Sequence, residues 1–317
     1  MLGGCNEAAD PPAPAPQPKV EADVGGFDRA KAHFDRAVLR AEKGDVAGSI
    51  ADLTDVIRLK KDDPQAYIYR GILYSNSQDF ERALADFSEV LRITPADEEA
   101  LCRRGKVLCE LGQPEKGIAD FTGAIERNPR SAGAYFLRGE AYYHLGKLQT
   151  ALADYDKAVE IAPQGSAAVY AQRSMVYLEL GDLERAHDDI NTAIRLDPAA
   201  SLHYKIRSAV LLKAGAFDAA IADYDRLLKA NPADAPLQKK RGTALMEKGD
   251  FAKAEAALTE AIRLAPEDIE AYQMRSRAYT GRAPPARAAA DLLEIERLRT
   301  RPTEKSPVKP PEKHIVK

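Results

Sequence analysis

The chain has 317 residues, 45% of them hydrophobic, and a length of that kind ordinarily means about two domains. A net charge of −3 gives little support to nucleic-acid binding, which requires a concentrated basic surface. Three scattered cysteines exclude a disulfide framework, and no run of 18 apolar residues is present to span a membrane.

Residues 1–27 read as a disordered linker, because five prolines between Pro11 and Pro18, mixed with alanine, hold a chain extended and solvated. In front of them, Leu2-Gly3-Gly4-Cys5 resembles the end of a bacterial lipoprotein signal. The resemblance implies lipidation at Cys5 and a membrane-anchored periplasmic protein. The departure is that four residues precede Cys5, too few for the charged and apolar regions of such a signal. The other reading is a disordered arm on a cytoplasmic protein; an in-frame apolar stretch upstream of Met1 would decide between them.

From residue 28 to 300 the sequence repeats itself. The stretch Pro64 to Asp97 is followed by a similar one offset by 34 residues, and aligning the copies gives eight units. Numbered so that the small residue after arginine is position 8, the units carry Ala37, Gly71, Gly105, Gly139, Ser174, Ser208, Gly242 and Ser276 there. All steps are 34 residues except one of 35, where Gln164-Gly165-Ser166 lengthens a loop. Position 4 is mostly tyrosine, position 20 is small throughout, and position 32 is proline in six units. Apolar residues such as Tyr67 and Tyr74, then Ala83, Phe87 and Val90, follow helical spacing on either side of a break. Six units place glycine at position 15, as helix ends prefer, and proline at position 32 stops the second helix. Small residues at positions 8 and 20 let the two helices cross closely. A fixed period of this length means stacked units rather than separate cores.

This pattern resembles the tetratricopeptide repeat family. The resemblance implies an all-α fold, a right-handed solenoid of eight helix-turn-helix repeats. The last helix, around Ala286–Arg299, is expected to cap the stack, and residues 301–317 read as a basic, proline-rich tail.

Position 7 is arginine in every unit and position 23, sixteen residues on, is aspartate in seven. The pairs Arg70–Asp86, Arg104–Asp120, Arg138–Asp154, Arg173–Asp189 and Arg207–Asp223 therefore read as a structural ion-pair ladder, since the aspartates would cancel a positive field built for a ligand. Pairing within a unit leaves Arg241 without its aspartate, because that unit has Ala257; pairing with the preceding unit leaves Arg36 and Arg275 instead.

In the tetratricopeptide family the first helices line a concave groove through positions 2, 5, 9, 12 and 13. Carried onto this sequence, the groove candidates are Phe34, Ile68, Ile72, Asn76 and Lys106, then Phe136, Tyr143, His144, Met175 and Leu178, then Lys205, Leu212, Lys213, Lys239 and Met246. Apolar anchors among charges of both signs suit an extended peptide or amphipathic helix. The family's carboxylate clamp needs lysine at position 5 and asparagine at position 9 of the first unit; Phe34 and Val38 stand there, so that subtype is not expected.

No phosphate loop, dinucleotide fingerprint, paired-histidine zinc motif or Cys-x-x-Cys occurs, so neither catalysis nor a cofactor is expected. The expected function is a protein-protein scaffold or adaptor whose partners are proteins, with no nucleic acid and with membrane contact only through Cys5. Two alternatives are an enzyme with a metal or thiol site in the groove, for which Cys109 and His144 are the candidate ligands, and a self-associating structural protein.

Overall fold

A computed structural model describes residues 24–279 and 285–300. Cys5, the proline-rich segment and the basic tail lie outside the described residues. Among those residues there are sixteen α-helices and no strand. They are α1 (Val24–Glu42), α2 (Val46–Leu59), α3 (Pro64–Asn76), α4 (Phe80–Ile93), α5 (Glu98–Glu110), α6 (Pro114–Arg127), α7 (Ala132–His144), α8 (Leu148–Ile161), α9 (Ala167–Leu180), α10 (Leu183–Leu196), α11 (Ser201–Lys213), α12 (Phe217–Ala230), α13 (Ala235–Lys248), α14 (Phe251–Leu264), α15 (Ile269–Tyr279) and α16 (Pro285–Thr300). Helix α1 starts inside the stretch that its prolines and glycines mark as linker, at Val24. The helices fall into two compact units, α1–α5 and α6–α16. In each unit consecutive helices pack on one another, and in the second the first helices of neighbouring repeats also touch, α7 with α9, α9 with α11 and α13 with α15.

Local chemistry sets the helix ends. Asp45, Asp63, Asp79, Asp97, Asp182, Asp234 and Asp250 accept hydrogen bonds from backbone N–H groups of the turns they precede, satisfying donors that a helix start leaves open. The position-32 prolines lie two residues past the helices. The residue before each is held extended, as at Thr94 (φ −128°, ψ 82°) and Asn231 (φ −136°, ψ 87°), because the proline ring crowds an α-conformation there. At position 15 all six glycines adopt the left-handed conformation, with φ between 70° and 87°. The second repeat has Gln78 at that position and adopts φ 60° regardless. An L-residue is disfavoured there, so Gln78→Gly is expected to raise stability by about 0.5–1 kcal/mol, seen as a higher urea midpoint.

The close crossing within each pair depends on position 8. A Cβ added at Gly71 would lie 2.8 Å from the Phe87 ring, and one at Gly139 would lie 2.8 Å from the Tyr155 ring. Serine at either small position spans the crossing differently: Ser49 Oγ donates to the Ala37 carbonyl (2.8 Å), and Ser174 Oγ donates to the Ala186 carbonyl (2.7 Å). Tyr155 is wholly buried and its hydroxyl has no partner among the described residues, whereas Tyr224, at the same position, has the hydroxyl of Ser208 across the crossing. A buried hydroxyl without a partner is a cost, so Tyr155→Phe is expected to leave stability unchanged or raise it by about 1 kcal/mol in urea unfolding.

The ladder arginines pair within their own repeats. Arg70, Arg138, Arg173 and Arg207 each grip the aspartate sixteen residues on with Nε and Nη2, at 2.6–2.9 Å, and so do Arg36 with Asp52 and Arg275 with Asp291 at 2.5–3.1 Å. Each of these aspartates is buried. Arg104 and the buried Asp120 lie in different units, on α5 and α6. The third guanidinium nitrogen, Nη1, reaches back to the second helix of the preceding repeat, where position 25 supplies an oxygen: Thr54 for Arg70, Thr122 for Arg138, Asp156 for Arg173, Asn191 for Arg207 and Thr259 for Arg275, at 2.8–3.1 Å. One arginine thus joins three helices. Arg241, which has no aspartate of its own, turns Nε to Asp225 at position 25 of the preceding repeat (2.6 Å). The position-4 tyrosines lie under the same guanidinium groups, 5.4–5.7 Å from ring centroid to Cζ at Tyr67, Tyr135, Tyr170, Tyr204 and Tyr272, a favourable cation–π arrangement.

Candidate interaction surface

The groove candidates divide by what their side chains already touch. Phe34 is half-buried and meets Tyr69 edge to face, with ring centroids 5.1 Å apart and planes at 78°. Ile68 is buried against Val90 and Ala100, so it belongs to the seam between repeats and offers no surface. Ile72 is half-buried beside it, and Asn76 and Lys106 are exposed.

In the second unit, Phe136, Met175, Leu178, Leu212 and Met246 are half-buried, each packed by one side against the core. Phe136 leans on Tyr155, ring centroids 6.0 Å apart. Polar candidates here largely bond to the neighbouring first helix. Tyr143 donates its hydroxyl to Glu179, and burial, then that carboxylate, pushes its pKa up to about 12. Lys213 Nζ donates to the Leu178 carbonyl at 2.8 Å. Lys239 Nζ reaches Asp268 at 2.7 Å and Glu270 at 2.6 Å, so its charge is neutralised inside the chain. His144 and Lys205 remain exposed, His144 with its ring edge toward Tyr143 (5.7 Å).

Two open clefts occur at the same place in the repeat. In the first unit a cleft of about 400 Å³ lies beside Phe34 and Tyr69, over Ala30 and Val56, with Lys60 and Gln65 on its edge. In the second unit one of about 230 Å³ lies beside Phe136, over Ala158 and Val169, under the loop that Gly165 lengthens. Positions 27 and 31 of the second helix line both, as Val56 and Lys60 and as Ala158 and Ala162. The groove pattern of the first helices does not include those positions. The signals for the second cleft are the 35-residue step and the small residues Gly133 and Ala162.

Cys109 and His144, the candidate thiol and metal ligands, lie in different units. Among the described residues, His33, Asp52 and Asp55 bring ligand atoms within 4.8 Å of one another. Asp52, however, already accepts from Arg36 Nη2 (2.5 Å) and Arg40 Nη1 (2.8 Å). The Arg36 hydrogen bond is the main cause that holds its carboxyl down at about 2. Two guanidinium groups on the central carboxylate leave no place for a cation, so the cluster is an end to the ladder. No helix among the described residues is long and apolar enough to cross a membrane.

A sequence profile for the tetratricopeptide repeat matches residues 19–98, 102–166 and 172–235, and a second profile of the same description matches 211–278. No curated protein sequence matches the chain. Solved structures with a similar fold include a tetratricopeptide repeat protein from Parabacteroides merdae, with TM-score 0.58, 18% identity, and 79% of this chain covered against 99% of that one. The Cut9–Hcn1 hetero-tetramer of APC/C gives TM-score 0.62 at 17% identity, covering 83% of this chain and 50% of that one. Pseudomonas aeruginosa pilF gives 0.60 at 18%, covering 68% and 97%. Repeat register, paired helices and profile agree, and the chain belongs to the tetratricopeptide repeat family.

Proposed function

We propose that this protein is a non-catalytic scaffold that holds a polypeptide partner along the first helices of its second unit. The tetratricopeptide fold supports protein interaction in general. The observation that carries the narrower reading is the row Phe136, Met175, Leu178, Leu212 and Met246, apolar side chains left half-exposed on successive first helices. Their exposed sides give a partner apolar anchor points, the kind of contact that dominates interface energetics. Exposed charges of both signs flank them, His144 and Lys205 among Glu179, Glu247 and Arg277, and suit an amphipathic helix or extended peptide whose register is set by charge. The cleft beside Phe136 would receive one apolar side chain of the partner.

The test is a pull-down from a source lysate with the intact protein and with Phe136, Tyr143 and Met175 changed together to alanine. The expected result is loss of the partner bands by at least about tenfold while the helical signal is kept, since anchors of this kind are worth roughly 2 kcal/mol or more. Equal recovery by both proteins removes this face as the binding site.

A further inference from the structure

Position 24 of the repeat holds the largest fully buried side chains among the described residues. Leu53, Phe87, Phe121, Tyr155, Ile190, Tyr224 and Leu258 occupy it in seven repeats and none is more than 2% exposed. What covers it is the first helix of the following repeat, through positions 3 and 10. Leu53 clusters with Ala66 and Leu73, Phe87 with Val107, Tyr155 with Val169 and Val176, and Tyr224 with Leu237 and Ala244. In the last repeat the same position is Leu292, and it is 58% exposed, with Leu293 beside it at 67%. The complementary face is open at the other end of the chain. Positions 3 and 10 of the first repeat are Ala32, which is exposed, and Leu39, which is 54% exposed although position 10 is at most 4% exposed from the third repeat to the eighth. The helix expected to cap the stack therefore leaves a leucine pair in solvent, and the first helix leaves the counterpart.

We propose that copies of this chain associate head to tail, with Leu292 on α16 of one copy covered by Ala32 and Leu39 on α1 of the next and Leu293 lying toward Arg36. The register is the one that the internal junctions already use, which is why the occupant is a second copy rather than an arbitrary helix. The junction differs from the internal ones in one respect. Position 25, which gives the following arginine an oxygen, is here Leu293, and Arg36 keeps its bonds to Asp52 within its own repeat. The junction consequently lacks the hydrogen bond that links neighbouring repeats and is weaker than an internal one. A contact between two different faces leaves one of each free at the ends of a dimer, so the assembly lengthens with concentration, as an open filament or until it closes into a ring. It uses a surface separate from the face that holds a partner, and either can fail without the other.

Sedimentation velocity of the full chain from micromolar to several hundred micromolar concentrations tests it, with Leu39→Glu and Leu292→Glu/Leu293→Glu as variants. These side chains are exposed, and circular dichroism confirms that each variant is folded. The wild type is expected to grow past a dimer as concentration rises, and each variant alone to associate at least about tenfold more weakly, because a carboxylate would be buried without a partner. Mixing the two variants restores a dimer that grows no further, since one copy keeps an intact head and the other an intact tail. A wild type that stays monomeric across the range overturns the proposal. So does association unaffected by Leu39→Glu, which would mean that α16 pairs with itself; cover of α16 by residues 301–317 would instead keep the wild type monomeric. A mixture of the variants that stays monomeric overturns it as well.

Discussion

Arg138→Met is expected to lower stability by about 3–5 kcal/mol, because it leaves Asp154 buried and charged with no cation beside it. The same change at Arg241, at the same position of its repeat, is expected to cost about 0–1 kcal/mol. There the partner is Asp225, whose side chain is half in water, and Ala257 leaves no buried carboxylate behind. Urea unfolding followed by circular dichroism measures both. The double change Arg138→Met/Asp154→Leu should recover most of the loss, since the cost lies in the unpaired charge rather than in the missing attraction. Similar losses at Arg138 and Arg241 would show that the ladder position matters for packing alone.

Gly71→Ala should destabilise by about 1–3 kcal/mol despite the better helix propensity of alanine, because its Cβ would lie 2.8 Å from a Phe87 ring that is itself fully buried. The first repeat shows the remedy: Ala37 stands there opposite Leu53, both buried. Gly71→Ala/Phe87→Leu copies that pair, and the two changes together should cost less than their sum by about 1–2 kcal/mol in a double-mutant cycle on unfolding midpoints. Additivity would mean that the ring moves aside freely.

These outcomes follow from positions that the sequence makes plain, because the constraint there is the same in every copy. A close helix crossing admits only small residues at positions 8 and 20, and a buried carboxylate needs its guanidinium, so the letters recur. The oxygen at position 25 is different. Thr54, Thr122, Asp156, Asn191 and Thr259 all supply it to the following arginine, and chemistry shared by three residue types does not look like a repeat. The candidate interaction surface is legible in the sequence only as a face. Which side chains on it are spent internally depends on the neighbouring helix: Ile68 goes into the seam, Lys239 to Asp268 and Glu270, and Tyr143 to Glu179. Leu39 and Leu292 read as ordinary core residues in any one repeat, and only their place at the ends exposes them.

The ladder's break in the seventh repeat bears on how the protein comes apart. Elsewhere in the second unit, from the fourth repeat on, an arginine ties its own hairpin and the preceding one through three nitrogens, so opening one hairpin loosens two. Arg241 ties α13 only backward, to Asp225, and its own second helix α14 is held without that bond. In a one-dimensional array, where each element is stabilised by itself and its neighbours, such a place divides the cooperative unit. Amide exchange should therefore proceed faster in α14 to α16 than in α7 to α12, and the chain unzips from that end inward.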